Sequence, residues 1–292
     1  MLILAALAAA ADAPPDSDIF LAELDLARGH VGPPRNLTQR VGYDNQPAFL
    51  LDGSGFLYVA DVDGPTDVFR YTFATGTSTR VTTTPEAEFS PTPLAAGFSA
   101  VRVAAPDGDV EVYTESQQVW RYDDAGRAVE SLLPDVRRVG YHAWLDKRHL
   151  ALIRVGPGGE GPNPLVFADL RTGTVSPIAP DAGRSLVPTK KGLLFVDKHD
   201  AARWVVARVT GTRVTELVAT PPNAPGEPED ARSEDLRVLP DGSILMAHGT
   251  RLLRWSGGKD WEVLVDLPDI GGVIKRLTVS PDGTKLLFVV QR

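Results

Sequence analysis

Six times along the chain an apolar stretch runs into a tight polar turn and returns as a second apolar stretch. The fullest copy is RLTVSPDGTKLLFVV at 276–290, with LRVLPDGSILM at 236–246 and PAFLLDGSGFLYV at 47–59 close behind. Weaker copies read PTPLAAGFSAVRV at 91–103, AWLDKRHLALIRV at 143–155 and LVPTKKGLLFVDK at 186–198. Asp-Gly between apolar runs is a hairpin signal, because glycine reaches positive φ without steric cost. The turns centre on Gly53, Gly97, Lys147, Gly192, Gly242 and Gly283, at intervals of 41 to 50 residues. A further strand–turn–strand element follows each of the first five hairpins, as in TDVFRYTFATGTSTRVT at 66–82 and RWVVARVTGTRVTELV at 203–218. The sixth such element stands at the opposite end of the chain, in SDIFLAELD at 17–25 and RNLTQ at 35–39.

Four strands per repeat of this length make a propeller blade. The displaced outer pair predicts how the ring closes: the N-terminal outer strands join the C-terminal inner hairpin in one sheet, which leaves no free edge. The fold expected over 17–292 is therefore an all-β, six-bladed β-propeller of four-stranded antiparallel blades. The SPDGTKLLFV repeat at 280–289 resembles the TolB-type propeller repeat of exported bacterial proteins. Its motif is complete at Ser280-Pro281-Asp282-Gly283 and partial at Pro240-Asp241-Gly242 and Asp52-Gly53. TolB proteins carry an α/β domain ahead of the propeller, for which this chain has no room, so the resemblance implies the propeller alone.

An apolar run at 1–11 followed by Ala11-Asp12-Ala13 fits a signal peptide of residues 1–13, without the usual basic start. The run is shorter than the roughly 20 residues that cross a bilayer. The expected location is periplasmic or secreted. A net charge of −8 argues against a nucleic-acid partner, and the absence of cysteine excludes disulfides and thiolate chemistry. Trp120, Trp204 and Trp255 fall in third strands and are expected to fill gaps between blades.

Seven to nine residues before each turn the sequence is mostly polar: Asp44-Asn45-Gln46, Glu88-Phe89-Ser90, Arg138-Val139-Gly140, Gly183-Arg184-Ser185, Ser233-Glu234-Asp235 and Ile274-Lys275-Arg276. Period-two alternation then separates an apolar set six and four residues before the turn from a mostly polar set seven and five before it. The polar set is expected to face the central channel and the apolar set to pack between blades. Asp44, Asn45, Gln46, Glu88, Ser90, Tyr141, His142, Arg184, Ser185, Glu234, Asp235, Lys275 and Arg276 are thereby expected to converge on one mouth. Long loops at 156–164 and 221–235 flank it.

The chemistry of this set suits binding. Arg184, Lys275, Arg276 and His142 match a carboxylate, and the acids match an amine. The expected partner is an envelope protein, a peptide or a small charged ligand. The acids also offer oxygen ligands for Ca²⁺, but the cations beside them oppose it, and no cofactor is expected. Ser90, His142 and Asp235 lack a GxSxG turn and show no triad spacing. The competing reading is a metal-dependent hydrolase, lactonase or lyase using the same mouth.

Overall fold

A computed structural model describes residues 15–223 and 232–292. The expected signal peptide and most of the 221–235 loop lie outside the described residues. Six blades form a ring. The closing blade joins β1 (Ser17–Asp25), β2 (His30–Val31) and β3 (Arg35–Asn36) to a C-terminal hairpin. The second blade is β4 (Asp44–Phe49), β5 (Gly55–Ala60), β6 (Asp67–Thr72) and β7 (Thr77–Arg80). The third is β8 (Ala87–Pro93), β9 (Phe98–Val103), β10 (Gln117–Tyr122) and β11 (Ala128–Ser131), with helix α1 (Val110–Glu115) between β9 and β10. The fourth is β12 (Val139–Trp144), β13 (His149–Arg154), β14 (Leu165–Asp169) and β15 (Val175–Ala179). The fifth is β16 (Val187–Thr189), β17 (Gly192–Asp197), β18 (Val205–Thr210) and β19 (Arg213–Ala219). The sixth is β20 (Arg232–Val238), β21 (Ile244–His248), β22 (Arg251–Trp255) and β23 (Glu262–Asp266). The closing hairpin is β24 (Val273–Val279) and β25 (Lys285–Gln291).

Closure follows the expected register. β1 pairs antiparallel with β25 from Ser17↔Gln291 to Glu23↔Lys285. The last residue tightens the seam: the Arg292 N–H donates to the Asp16 carbonyl at 2.9 Å, and its guanidinium reaches Asp18 at 2.6 Å. The Asp of each clear turn motif does local work that explains the repeat. Asp52 Oδ1 accepts from the Ser54 N–H at 2.9 Å, Asp241 from Ser243 at 2.9 Å and Asp282 from Thr284 at 3.0 Å. These side chains replace a missing backbone partner and fix the turn. Gly97 shows why glycine is needed there. Its φ is +73°, and a Cβ would stand 2.0 Å from the Tyr122 carbonyl oxygen.

The core lies between the blades. Ile19, Leu21, Leu287 and Val289 of the closing blade meet Phe49, Phe56, Tyr58 and Tyr71 of the second. Leu194, Val196 and Val206 of the fifth meet Leu236, Ile244 and Met246 of the sixth. Each such side chain contributes about 1.5–3 kcal/mol when fully buried, so adjacent blades hold the ring as a unit. The three tryptophans are half-buried lids over these seams. Arg102 stacks 4.5 Å from the Trp120 ring and Lys198 4.4 Å from Trp204, while Trp255 donates to the Gly258 carbonyl.

The inner strands do not alternate cleanly. Pairing skips around Gln46, Ser90 and Arg276, which sit at φ of 55°, 53° and 50°. Such a bulge bends the strand and leaves an N–H outside its own ladder. In two cases the preceding blade supplies the acceptor. Gln46 Oε1 takes the Ser90 N–H, and Asp235 Oδ2 takes the Arg276 N–H at 2.9 Å.

Candidate functional site

The hairpin anchors give the inner strands a common frame. The residue whose N–H closes the turn is Leu50, Leu94, Leu145, Leu239 or Ser280 in five of the blades; Thr189, paired with Gly192, stands there in the fifth. In the fourth blade the equivalent turn residue is Arg148, one beyond the expected Lys147. That blade is therefore shifted by one, because no glycine marks its turn.

Two rings of side chains result. Four residues before the anchors stand Gln46, Ser90, Tyr141, Ser185, Asp235 and Arg276. Two residues before them stand Ala48, Thr92, Ala143, Val187, Arg237 and Thr278. All twelve line one central cavity of ≈ 360 Å³. Pro47, Pro91, His142, Leu186 and Leu277, between the rings, line it too. This corrects the expected segregation of polar and apolar sets. Blades stand face to face around the axis, so the edge of each inner strand looks into the channel, and consecutive residues reach it.

The first ring is closed on itself. Arg184 grips Asp235, with Nε 3.2 Å from both carboxylate oxygens. Burial alone raises the Asp235 pKa, but Arg184 and Arg276 outweigh it and hold the carboxyl well below the usual range. Arg276 crosses from the closing blade to the blade opposite. Its Nη2 donates to the Tyr141 hydroxyl at 3.0 Å, and its guanidinium lies 5.1 Å from the Tyr141 ring centre. Ser185 Oγ donates to the Leu236 carbonyl at 3.0 Å. Gln46 Nε2 donates to the Tyr43 hydroxyl at 3.3 Å. Tyr43 is 1% exposed, and burial pushes its pKa up to about 12. Tyr113 of α1 stands next to Tyr43 and Tyr141, and burial raises its pKa as well. At the triplet end Arg276 and Tyr141 thus meet across the axis, with Tyr43 and Tyr113 packed in the same cluster as Tyr141. The 156–164 loop forms a 3-10 turn (Pro157–Gly159) that packs against α1 on this side.

That cluster corrects the expected mouth. The triplets form a floor, and the cavity opens toward the hairpin turns, where Pro188 is exposed. Of the expected site residues, Gln46, Ser90, Tyr141, His142, Arg184, Ser185, Asp235 and Arg276 line the cavity. Asp44, Asn45, Glu88, Glu234 and Lys275 do not, and all five are buried. Four of them are bonded within or between the blades. Asp44 pairs with Arg40 at 2.9 Å, and burial, partly offset by that arginine, pushes its pKa up to about 6. Asn45 Oδ1 accepts the Gln46 N–H at 2.8 Å. Glu88 accepts from Thr84 at 2.7 Å and Tyr122 at 3.2 Å, yet burial pushes its pKa up to about 7. Glu234 accepts from Lys198 Nζ at 2.8 Å and from the Arg184 N–H at 2.9 Å.

The second ring is not closed. Thr92 and Thr278 make no side-chain hydrogen bond among the described residues. Arg237 uses only Nη1, toward Ser185 Oγ at 2.8 Å and the Leu236 carbonyl at 2.7 Å. It has no ion pair among the described residues, and burial lowers its pKa. Sequence alternation places Arg237 in the channel-facing set, but only the structure reveals that it makes no ion pair among the described residues. His142 completes the group. Its Nε2 lies 2.7 Å from Ser99 Oγ, and the Trp144 Nε1–H donates to the same oxygen at 2.9 Å. Ser99 is fully buried, and its hydroxyl proton has one acceptor in reach, His142 Nε2. The proton of the neutral ring therefore sits on Nδ1, which has no partner among the described residues. Burial lowers the His142 pKa to about 4. The expected Ser90, His142 and Asp235 do not form a triad. His142 bonds Ser99, while Asp235 bonds Arg184 and the Arg276 N–H. Among the described residues no three His, Asp or Glu side chains are grouped to hold a metal ion.

No family model and no curated protein sequence matches the chain. Solved structures share its fold. A TolB-type protein from Agrobacterium tumefaciens superposes with a TM-score of 0.66 at 12% identity, covering 94% of this chain and 99% of that one. A gluconolactonase from Xanthomonas campestris gives 0.60 at 10% identity, over 96% and 97% of the two chains. An oligogalacturonate lyase in complex with manganese gives 0.57 at 13% identity, over 88% and 79%. At such identities the likeness establishes the β-propeller fold and nothing about chemistry. No described helix is long and apolar enough to cross a membrane.

Proposed function

We propose that this chain is a non-enzymatic binding module of the bacterial envelope that takes an anionic ligand into the cup at the turn end of its channel. The observation that carries this reading is the charge balance of the cup. Among the described residues that line it, Arg184, Arg237 and Arg276 face a single carboxylate, Asp235, which Arg184 already engages. A guanidinium held in a partly desolvated cavity without a counter-ion gains from a ligand that brings one. Export rests on the 1–13 segment, and N-terminal sequencing of the mature protein from its native host checks it.

The lactonase and lyase neighbours support a second reading, an enzyme using the same cavity. That reading needs a metal or an acid–base pair at the opening. What favours the binding reading over it is that His142 is tied to Ser99 and the wall carboxylate Asp235 is paired with Arg184. Thermal unfolding with a panel of anions and neutral analogues at low ionic strength tests the binding reading, since a ligand bound only by the native state raises the midpoint. Stabilisation by anions alone is expected. Equal response to neutral analogues, or turnover of lactones or uronides abolished by chelator, would contradict it.

A further inference from the structure

We infer that the occupant of the cup is a small organic monocarboxylate with an apolar body, its carboxylate held side-on by Arg237 and Thr278. This rests on the anion-binding reading above and narrows it to a ligand class and a subsite.

The geometry of Arg237 selects the head group. Nη1 is spent on Ser185 Oγ and the Leu236 carbonyl, which fixes the guanidinium and leaves Nε and Nη2 without partners among the described residues. Those two nitrogens form the side-on edge whose parallel N–H bonds match the two oxygens of a carboxylate. Thr278 stands at the same pairing position of the adjacent blade, Arg237 opposite Leu245 and Thr278 opposite Leu287. Its hydroxyl, unbonded among the described residues, offers a further donor in the same ring of the cavity wall. The charge favours a single negative head. Arg184 is neutralised by Asp235, and Arg276 is committed to the Tyr141 ring and hydroxyl. At the level of the second ring Arg237 is the one uncompensated charge among the described residues.

The remaining wall selects the body. Ala48, Ala143 and Val187 complete the ring, and Trp144 and Pro188 extend it toward the opening. A multiply charged inorganic anion leaves this surface unused, whereas an alkyl or aryl group covers it. A volume of ≈ 360 Å³ lies at the lower end of small-molecule sites.

Isothermal titration of the full chain with 4-phenylbutyrate, 4-phenylbutyramide and inorganic phosphate tests this, together with the variants Arg237→Gln and Thr278→Val. The carboxylate is expected to bind and the amide to bind at least tenfold more weakly. Arg237→Gln should weaken the carboxylate at least tenfold, and Thr278→Val about threefold. Thr278→Val keeps the volume of the side chain, so it remains informative if Arg237→Gln fails to fold. Phosphate binding as tightly as 4-phenylbutyrate would overturn the ligand class while leaving an anion-binding cup. Binding of neither anion, or equal binding of the amide, would overturn both readings. Carboxylate binding untouched by both variants would overturn the subsite.

Discussion

Two rings of side chains, two residues apart along the six inner segments, use polarity in opposite ways. The first, from Gln46 to Arg276, matches its own groups across blades: Gln46 with the Ser90 N–H, Asp235 with Arg184 and the Arg276 N–H, Arg276 with Tyr141. The second holds Thr92, Arg237 and Thr278 with donors unspent. Buried polar groups are normally satisfied, so polarity in a channel is the ordinary state of a closed ring. What distinguishes a candidate site is donors left over after the protein has paired its own. By that measure the first ring is a clasp and the second a wall awaiting an acceptor.

The comparison breaks most readily at Asp235. Asp235→Ala leaves Arg184 buried without its carboxylate and the Arg276 N–H without an acceptor. A loss of about 3–5 kcal/mol is expected, as for a broken buried pair, measured by urea denaturation at neutral pH. A loss under 1 kcal/mol would remove the clasp. Glu88 sharpens the picture from outside both rings. Its folded pKa of about 7 lies above its ordinary 4.5. The native state therefore keeps a proton that the unfolded chain releases between those values. Stability falls as pH rises through that window and levels off above it, with Asp44 acting in the same direction. The Glu88 contribution is at most about 3 kcal/mol. Glu88→Gln should flatten the fall in unfolding midpoint between pH 5 and pH 8. Gln46→Ala removes the acceptor of the Ser90 N–H and should cost about 1–3 kcal/mol. The smallest effect belongs to the second ring. Thr92→Val and Thr278→Val should change stability by less than about 1 kcal/mol, since neither hydroxyl is bonded within the described residues.

The fold was legible because its determinants are local and repeated. Asp52, Asp241 and Asp282 each set a turn by hydrogen-bonding two residues on, and the displaced β1 named its partner β25 by default. The first ring was legible in part, since counting back from a turn finds it wherever the turn is marked. The fourth blade slipped by one because Asp146-Lys147-Arg148 closes without glycine. The open end was misplaced for a different reason. α1 arises in PDGDVEVYTES, where Val110 and Val112 are β-branched and weak helix formers. Asp109 nevertheless caps it, accepting from the Glu111 and Val112 N–H groups, and Tyr113 packs against the core cluster that holds Tyr43 and Tyr141. Whether Arg237 has a counter-charge depends on pairings across three blades, which no spacing in one segment encodes.

The division of the channel is tested most directly by thermal unfolding of wild type, Asp235→Ala and Arg237→Gln side by side, with and without 4-phenylbutyrate. The expected result is a large fall for Asp235→Ala. Arg237→Gln should keep a midpoint near wild type while losing the rise that the carboxylate gives the wild type. An Arg237→Gln protein that unfolds as early as Asp235→Ala, or that still responds to the carboxylate in full, would contradict it.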